Sequence, residues 1–187
     1  MAPCNLSESE KEFVRTYTRK LLVMSTLATA VFLGILVPAY TGQLDLGLSM
    51  VPLGTTQERL VFTLKHLALQ LAWIIISMYY VIYHRLGTPA LDPTKGYESL
   101  VQNAKNILTN SVEHGLVFTF SLLIAATDLT PELCRRLVPT LNLLYILGRL
   151  LYLIGYPCNR SFGFTILNFT IITTVSYNLY QLACLYV

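Results

Sequence analysis

Charge is what this sequence has least of. Only 12% of its 187 residues are Asp, Glu, Lys or Arg, against 54% hydrophobic. A soluble domain usually carries about 25% charged residues, so an ordinary soluble globule and a disordered chain are both excluded. The 13 Lys and Arg leave a formal net charge of only +3 and are spread thinly, which excludes a nucleic-acid module and with it a nucleic-acid partner. Cysteine is also sparse. Cys4, Cys134, Cys158 and Cys184 form no CxxC and no metal-ligand spacing, so they read as isolated thiols, and neither a disulfide scaffold nor a bound metal is expected. No repeated half or pair of interrupted helices is visible, which argues against a transporter.

Long apolar runs are what the sequence does have. A membrane-spanning helix needs about 20 mostly apolar residues, and five stretches qualify: Leu21 to Tyr40, Leu60 to Tyr83, Ile107 to Ala126, Leu137 to Tyr156 and Phe164 to Val187. They lack the two-residue alternation of a membrane barrel. The expected fold is therefore an all-α transmembrane bundle of five spans. Breakers separate the runs. Pro38 is expected to close the first helix, and Thr130 followed by Pro131 reads as an N-cap with proline at the first helical position of the fourth.

The first run is too long for the roughly 7–15 apolar residues of a signal-peptide core, so it reads as a retained anchor. Residues 1–20 form the N-terminal segment, 21–59 the first span and its loop, and 60–187 a four-helix domain. With the N-terminus in the cytosol, eight Lys and Arg outside the runs or at their borders fall on the cytosolic side and four on the other: Lys11, Arg15, Arg19, Lys20, Arg85, Lys95, Arg160 and the borderline Lys105 against Arg59, Arg135, Arg136 and the borderline Lys65. The positive-inside bias thus places the N-terminus in the cytosol. The sequons at Asn5 and Asn159 then face the cytosol and that at Asn168 lies in the bilayer, so none is expected to be glycosylated.

Polar side chains inside the third and fourth runs stand out, since an ionisable group at the bilayer centre costs from about 2.5 kcal/mol upward. Asn106, Asn110 and Glu113 recur at helical spacing, with Gln102 a turn earlier. Arg149, Tyr152 and Tyr156 do the same, and Arg160 and Ser161 follow in the next loop. In an up-and-down bundle the two stripes meet near the cytosolic end, where Glu113 and Arg149 can face each other. A carboxylate, two guanidiniums, an amide and two phenols suit a zwitterionic, peptide-like guest. An arginine beside a thiol also favours the reactive thiolate. The same groups can equally serve as interhelical glue. His114 reads as a packed histidine and Cys158 as an ordinary thiol without an accompanying base.

At these residues the chain resembles the MAPEG superfamily, the membrane glutathione transferases and their eicosanoid-making relatives. The segment Asn106 to Glu113 is similar to that family's R-x-x-x-N-x-x-E element, and Arg149 to Tyr156 to its R-x-x-[YH]-x-x-x-Y element. Arg160-Ser161 resembles its Arg-Ser before the last helix, and Arg85 sits where it often places another basic residue. The resemblance implies a homotrimer with glutathione as co-substrate near the cytosolic face. It implies glutathione binding by Arg85, Asn110, Glu113, Arg149, Tyr152, Tyr156 and Arg160. Arg160 would stabilise the thiolate, with Ser161 in support. Two departures stand out: Asn106 replaces the element's leading arginine, and an extra helix precedes the core. The five-span layout, the Arg59 start of the second helix, the run Asn159 to Phe164 and Asn178-Leu179-Tyr180 resemble the mattrin-like branch, which is associated with secretory and endosomal membranes.

Two readings follow. One is a non-enzymatic, mattrin-like protein of endomembranes that retains a glutathione-type pocket. The other is a glutathione-dependent transferase or peroxidase acting on a lipophilic small molecule drawn from the bilayer.

Overall fold

The computed structural model describes residues 8–44, 51–156 and 160–186. The described chain is all-helical and has no strand: α1 (Glu8–Thr41), α2 (Thr56–Arg85), α3 (Gln102–Asp128), α4 (Pro131–Gly155) and α5 (Ser161–Cys184), with three short 3-10 turns between α2 and α3. The first four are long and apolar enough to cross a membrane. The 24-residue α5 has no charged side chain but carries Asn168, Asn178 and Gln181 among its apolar residues. Cys4 and Cys158, and the sequons at Asn5 and Asn159, lie outside the described residues.

The helices overrun the apolar runs that announce them. α1 begins at Glu8, so most of the polar segment read as separate, residues 8–20, is its first turns. Pro38 does not close it. The proline lies inside the helix, because it removes one N–H without forbidding the turns that follow. The helix stops instead near Gly42, whose φ of 84° suits glycine. At α4 the expected start is observed: the Leu133 N–H donates to the Thr130 hydroxyl at 3.3 Å, with Pro131 at the first position.

α2 starts on a reciprocal cap. The Glu58 N–H donates to the Thr55 hydroxyl at 3.2 Å, and the Thr55 N–H donates to Glu58 Oε2 at 2.9 Å. The T-x-x-E pattern is its sequence signature. One turn on, Arg59 Nε donates to the Ala126 carbonyl at 3.1 Å and Nη2 to Thr127 at 3.1 Å, satisfying carbonyls left open at the end of α3. Thr55→Ala is expected to lower stability by about 1 kcal/mol, read as a lower melting temperature in detergent. An unchanged melt would mean that Arg59 alone anchors this end.

Cross-helix contacts give the directions. Arg59 meets Ala126, while Gln70 meets Gly115 and Trp73 meets Ser111, so α2 and α3 are antiparallel. Asn106 meets Tyr156 and Asn110 meets Arg149, so α3 and α4 are antiparallel too. Ser25 meets Thr165, and the Phe32 ring lies 5.7 Å from that of Phe169, so α1 and α5 run the same way. The starts of α1, α3 and α5 therefore share one end of the bundle.

Most of the exterior is apolar, with Leu71, Ile76, Leu116, Phe120 and Ile154 exposed, as a lipid-facing surface requires. Inside, Phe118, Leu122, Val138 and Leu167 form one buried cluster and Phe32, Leu144 and Ile166 another. With lipid outside, such packing gains little from hydrophobicity, so close contact and interhelical hydrogen bonds hold the bundle. α4 and α5 show this most clearly. A methyl added to Gly163 would overlap the backbone nitrogen of Tyr152 and come within 2.6 Å of the Gly148 carbonyl.

Candidate functional site

Two of the predicted stripes do meet. Arg149 is completely buried. Its Nη1 donates to Asn110 Oδ1 at 2.8 Å, Nη2 to the Asn110 carbonyl at 2.8 Å, and Nε to the Tyr145 hydroxyl at 3.2 Å. Tyr145 also places its ring 5.2 Å from the guanidinium carbon and stacks on Phe118 at 4.5 Å. A guanidinium is costly to bury unless its donors are met; here three of the five point into protein acceptors. At the end of the stripe Gln102 donates to Asn106 at 2.7 Å, and Asn106 donates to the Tyr156 hydroxyl at 3.3 Å.

Glu113 does not join them. It is exposed on α3, and no ion pair with Arg149 forms among the described residues. The expected carboxylate–guanidinium meeting is thus absent within the chain. Around the helix Glu113 lies about 60° from Asn110, at about 100° per residue. That turns it off the α4 side and outward.

Arg85 also lies elsewhere. Its Nη1 donates to the Ala90 carbonyl at 2.8 Å and lies 2.9 Å from Glu98 Oε1, while Lys105 reaches Glu98 Oε2 at 2.7 Å. This trio fastens the α2–α3 connection. In that connection the Thr94 hydroxyl and N–H donate to Asp92 at 2.6 and 3.0 Å and hold its carboxyl below the ordinary range.

Four of the predicted residues, Asn110, Tyr152, Arg160 and Ser161, line part of a cleft of about 670 Å³. Arg160 is exposed, places its guanidinium carbon 5.7 Å from the Tyr156 ring, and pairs with no carboxylate among the described residues. Tyr152 is buried, 5.6 Å ring to ring from Tyr156. The far wall of the cleft is α1, which sequence reasoning did not connect with the site.

A buried polar spine was also missed. Gln70 Nε2 donates to the Gly115 carbonyl at 2.6 Å and its Oε1 accepts from Thr119 at 3.0 Å. Trp73 Nε1 donates to Ser111 at 3.3 Å. Tyr145, four residues before Arg149, could have been found from that spacing; the Ser111 and Gln70 partners depend on how α2 docks.

Fold and site together define an integral-membrane helical bundle whose mostly apolar interior carries a line of hydrogen-bonded polar side chains. Residues 63–180 match the model of the MAPEG family, well over half of the sequence, and the chain belongs to that family. No curated protein and no solved structure matches it. α1 lies wholly before the matched region.

Proposed function

We propose that this chain is a mattrin-like member of the family, a five-span, N-terminus-in protein of secretory or endosomal membranes that catalyses no glutathione reaction. The observation that carries this reading is the state of Arg149. Three of its five N–H groups are engaged by Asn110 and Tyr145 and the side chain is fully shielded from solvent, so Arg149 acts as a structural tie and is closed to a carboxylate guest. The outward Glu113 supports assembly. A carboxylate on the outer face of a spanning helix is costly against lipid, and a second and third copy of the chain would cover it, as in a homotrimer.

Glutathione at millimolar concentration is expected to leave the melting temperature of the purified protein unchanged, in wild type and Glu113→Gln alike. A ligand that binds only the folded state must raise it. A rise that disappears in Glu113→Gln would instead establish a glutathione pocket.

One observation favours the second reading, a glutathione-dependent transferase or peroxidase. Arg160 and Ser161 stand at the cleft with a guanidinium free of carboxylates, the group needed to hold a thiolate. In that reading a lipophilic electrophile or hydroperoxide enters from the bilayer, and Arg160→Ala abolishes conjugation to glutathione.

A further inference from the structure

The cleft beside α1 has its own polarity. Its volume of about 670 Å³ is that of a small-molecule site, which runs from about 300 to 1,000 Å³. On α1 it is lined by Tyr17, Leu21, Ser25 and Thr29, every fourth residue, a stripe about 18 Å long. The facing wall is α5, from Ser161 to Ile172. Because α1 and α5 run the same way, Tyr17, Arg160 and Ser161 share one end and Thr29 and Ile172 the other.

The lining changes character along that length. Arg160, Ser161 and the Tyr17 phenol mark the mouth, and Arg15, Arg19 and Lys20 stand on the same end of α1. Beyond it come Leu21, Phe164, Phe169 and Ile172. The hydroxyls between them are turned back onto the helices: Thr29 donates to the Ser25 carbonyl and Thr165 to the Ser161 carbonyl, both at 2.8 Å. Asn168 alone offers the cleft an amide with no hydrogen-bond partner among the described residues.

We propose that this cleft holds one anionic phospholipid, its phosphate on Arg160 at the mouth and an acyl chain along Leu21, Phe164, Phe169 and Ile172. The Asn168 amide donates to an ester carbonyl. A cationic, hydroxyl-bearing mouth over an apolar slot open along the bilayer matches that amphiphile in charge and shape. α1 supplies four of the thirteen lining residues and the wall that faces α5, so the cleft exists only because of the extra helix. Its occupation by a lipid rests on the reading that the chain catalyses no glutathione reaction, since Arg160 cannot hold both a lipid phosphate and a glutathione thiolate.

The test is native mass spectrometry of the full-length protein from mixed micelles with phosphatidylserine or phosphatidylcholine. One phosphatidylserine per chain should be retained, about fivefold over phosphatidylcholine, the scale of one basic side chain at a membrane surface. Arg160→Gln should erase that preference and Lys95→Gln, on the same end, should not. Ser25→Trp should fill the slot and expel both lipids. Should that variant fail to fold, a photoreactive phosphatidylserine on wild type decides: label on the Leu21, Phe164 or Ile172 peptides supports the site, and label only elsewhere overturns it. Equal retention of the two lipids, untouched by Arg160→Gln, overturns it as well. So does displacement by millimolar inorganic phosphate, which would mark a site for a soluble anion.

Discussion

Asn110→Leu is expected to destabilise the protein by about 2–3 kcal/mol, the cost of taking a hydrogen-bond acceptor from a buried charged donor. Asn110 accepts two of the three hydrogen bonds made by the Arg149 guanidinium, one on its side chain and one on its carbonyl. Leucine leaves Nη1 with nothing to donate to in a position fully shielded from solvent. The double variant Asn110→Leu/Arg149→Met removes donor and acceptor together and should recover much of the loss, since replacing a buried polar group and its partner by packed apolar residues is often nearly neutral. Unfolding free energies in detergent for the single and double variants check this. A single variant as stable as wild type would mean that the guanidinium finds another acceptor, and the structural role given to Arg149 would fall with it.

Gly163→Ala is the second large effect. The added methyl meets backbone on three sides, the Tyr152 nitrogen, the Gly148 carbonyl oxygen and the Leu151 carbonyl carbon. Backbone cannot swing aside as a flexible side chain can, so α4 and α5 must separate. Overpacking of this kind costs about 1–3 kcal/mol and occasionally more, and contact between small residues is what holds membrane helices together. The separation would also draw Ser161 away from Tyr152. Gly34→Ala is the matched control: nothing lies within 4 Å of the added methyl, and alanine is favoured by about 1 kcal/mol inside a helix. The expected melts therefore move in opposite directions. Equal melts for Gly163→Ala and wild type would show that the two helices can part freely.

Length and polarity made the helices legible, because a run of about 20 apolar residues has few other uses. The Thr130–Pro131 start was legible because cap chemistry is local. The meeting of Asn110 with Arg149 was legible from two polar stripes on neighbouring antiparallel helices. The direction of Glu113 was not. Periodicity groups residues onto a broad face, and Asn110 and Glu113 lie on opposite edges of it; only docked helices decide which edge turns inward. Pro38 misled for a related reason. Proline marks a helix end well where water can take up a freed carbonyl; inside an apolar run the helix has every reason to continue. The role of α1 as a wall of the cleft was hidden because its Ser and Thr residues look innocuous until Thr165 lies 3.2 Å from Ser25.

The length of α1 bears on what lies beyond the lipid. Its 34 residues reach roughly 51 Å, against a hydrocarbon layer of about 30 Å. Even well tilted, its first turns, with Lys11 paired to Glu8, stand clear of the membrane as a stiff post. The paired Lys11–Glu8 end is thereby held out past the headgroups, on the same rigid rod whose next turns wall the cleft.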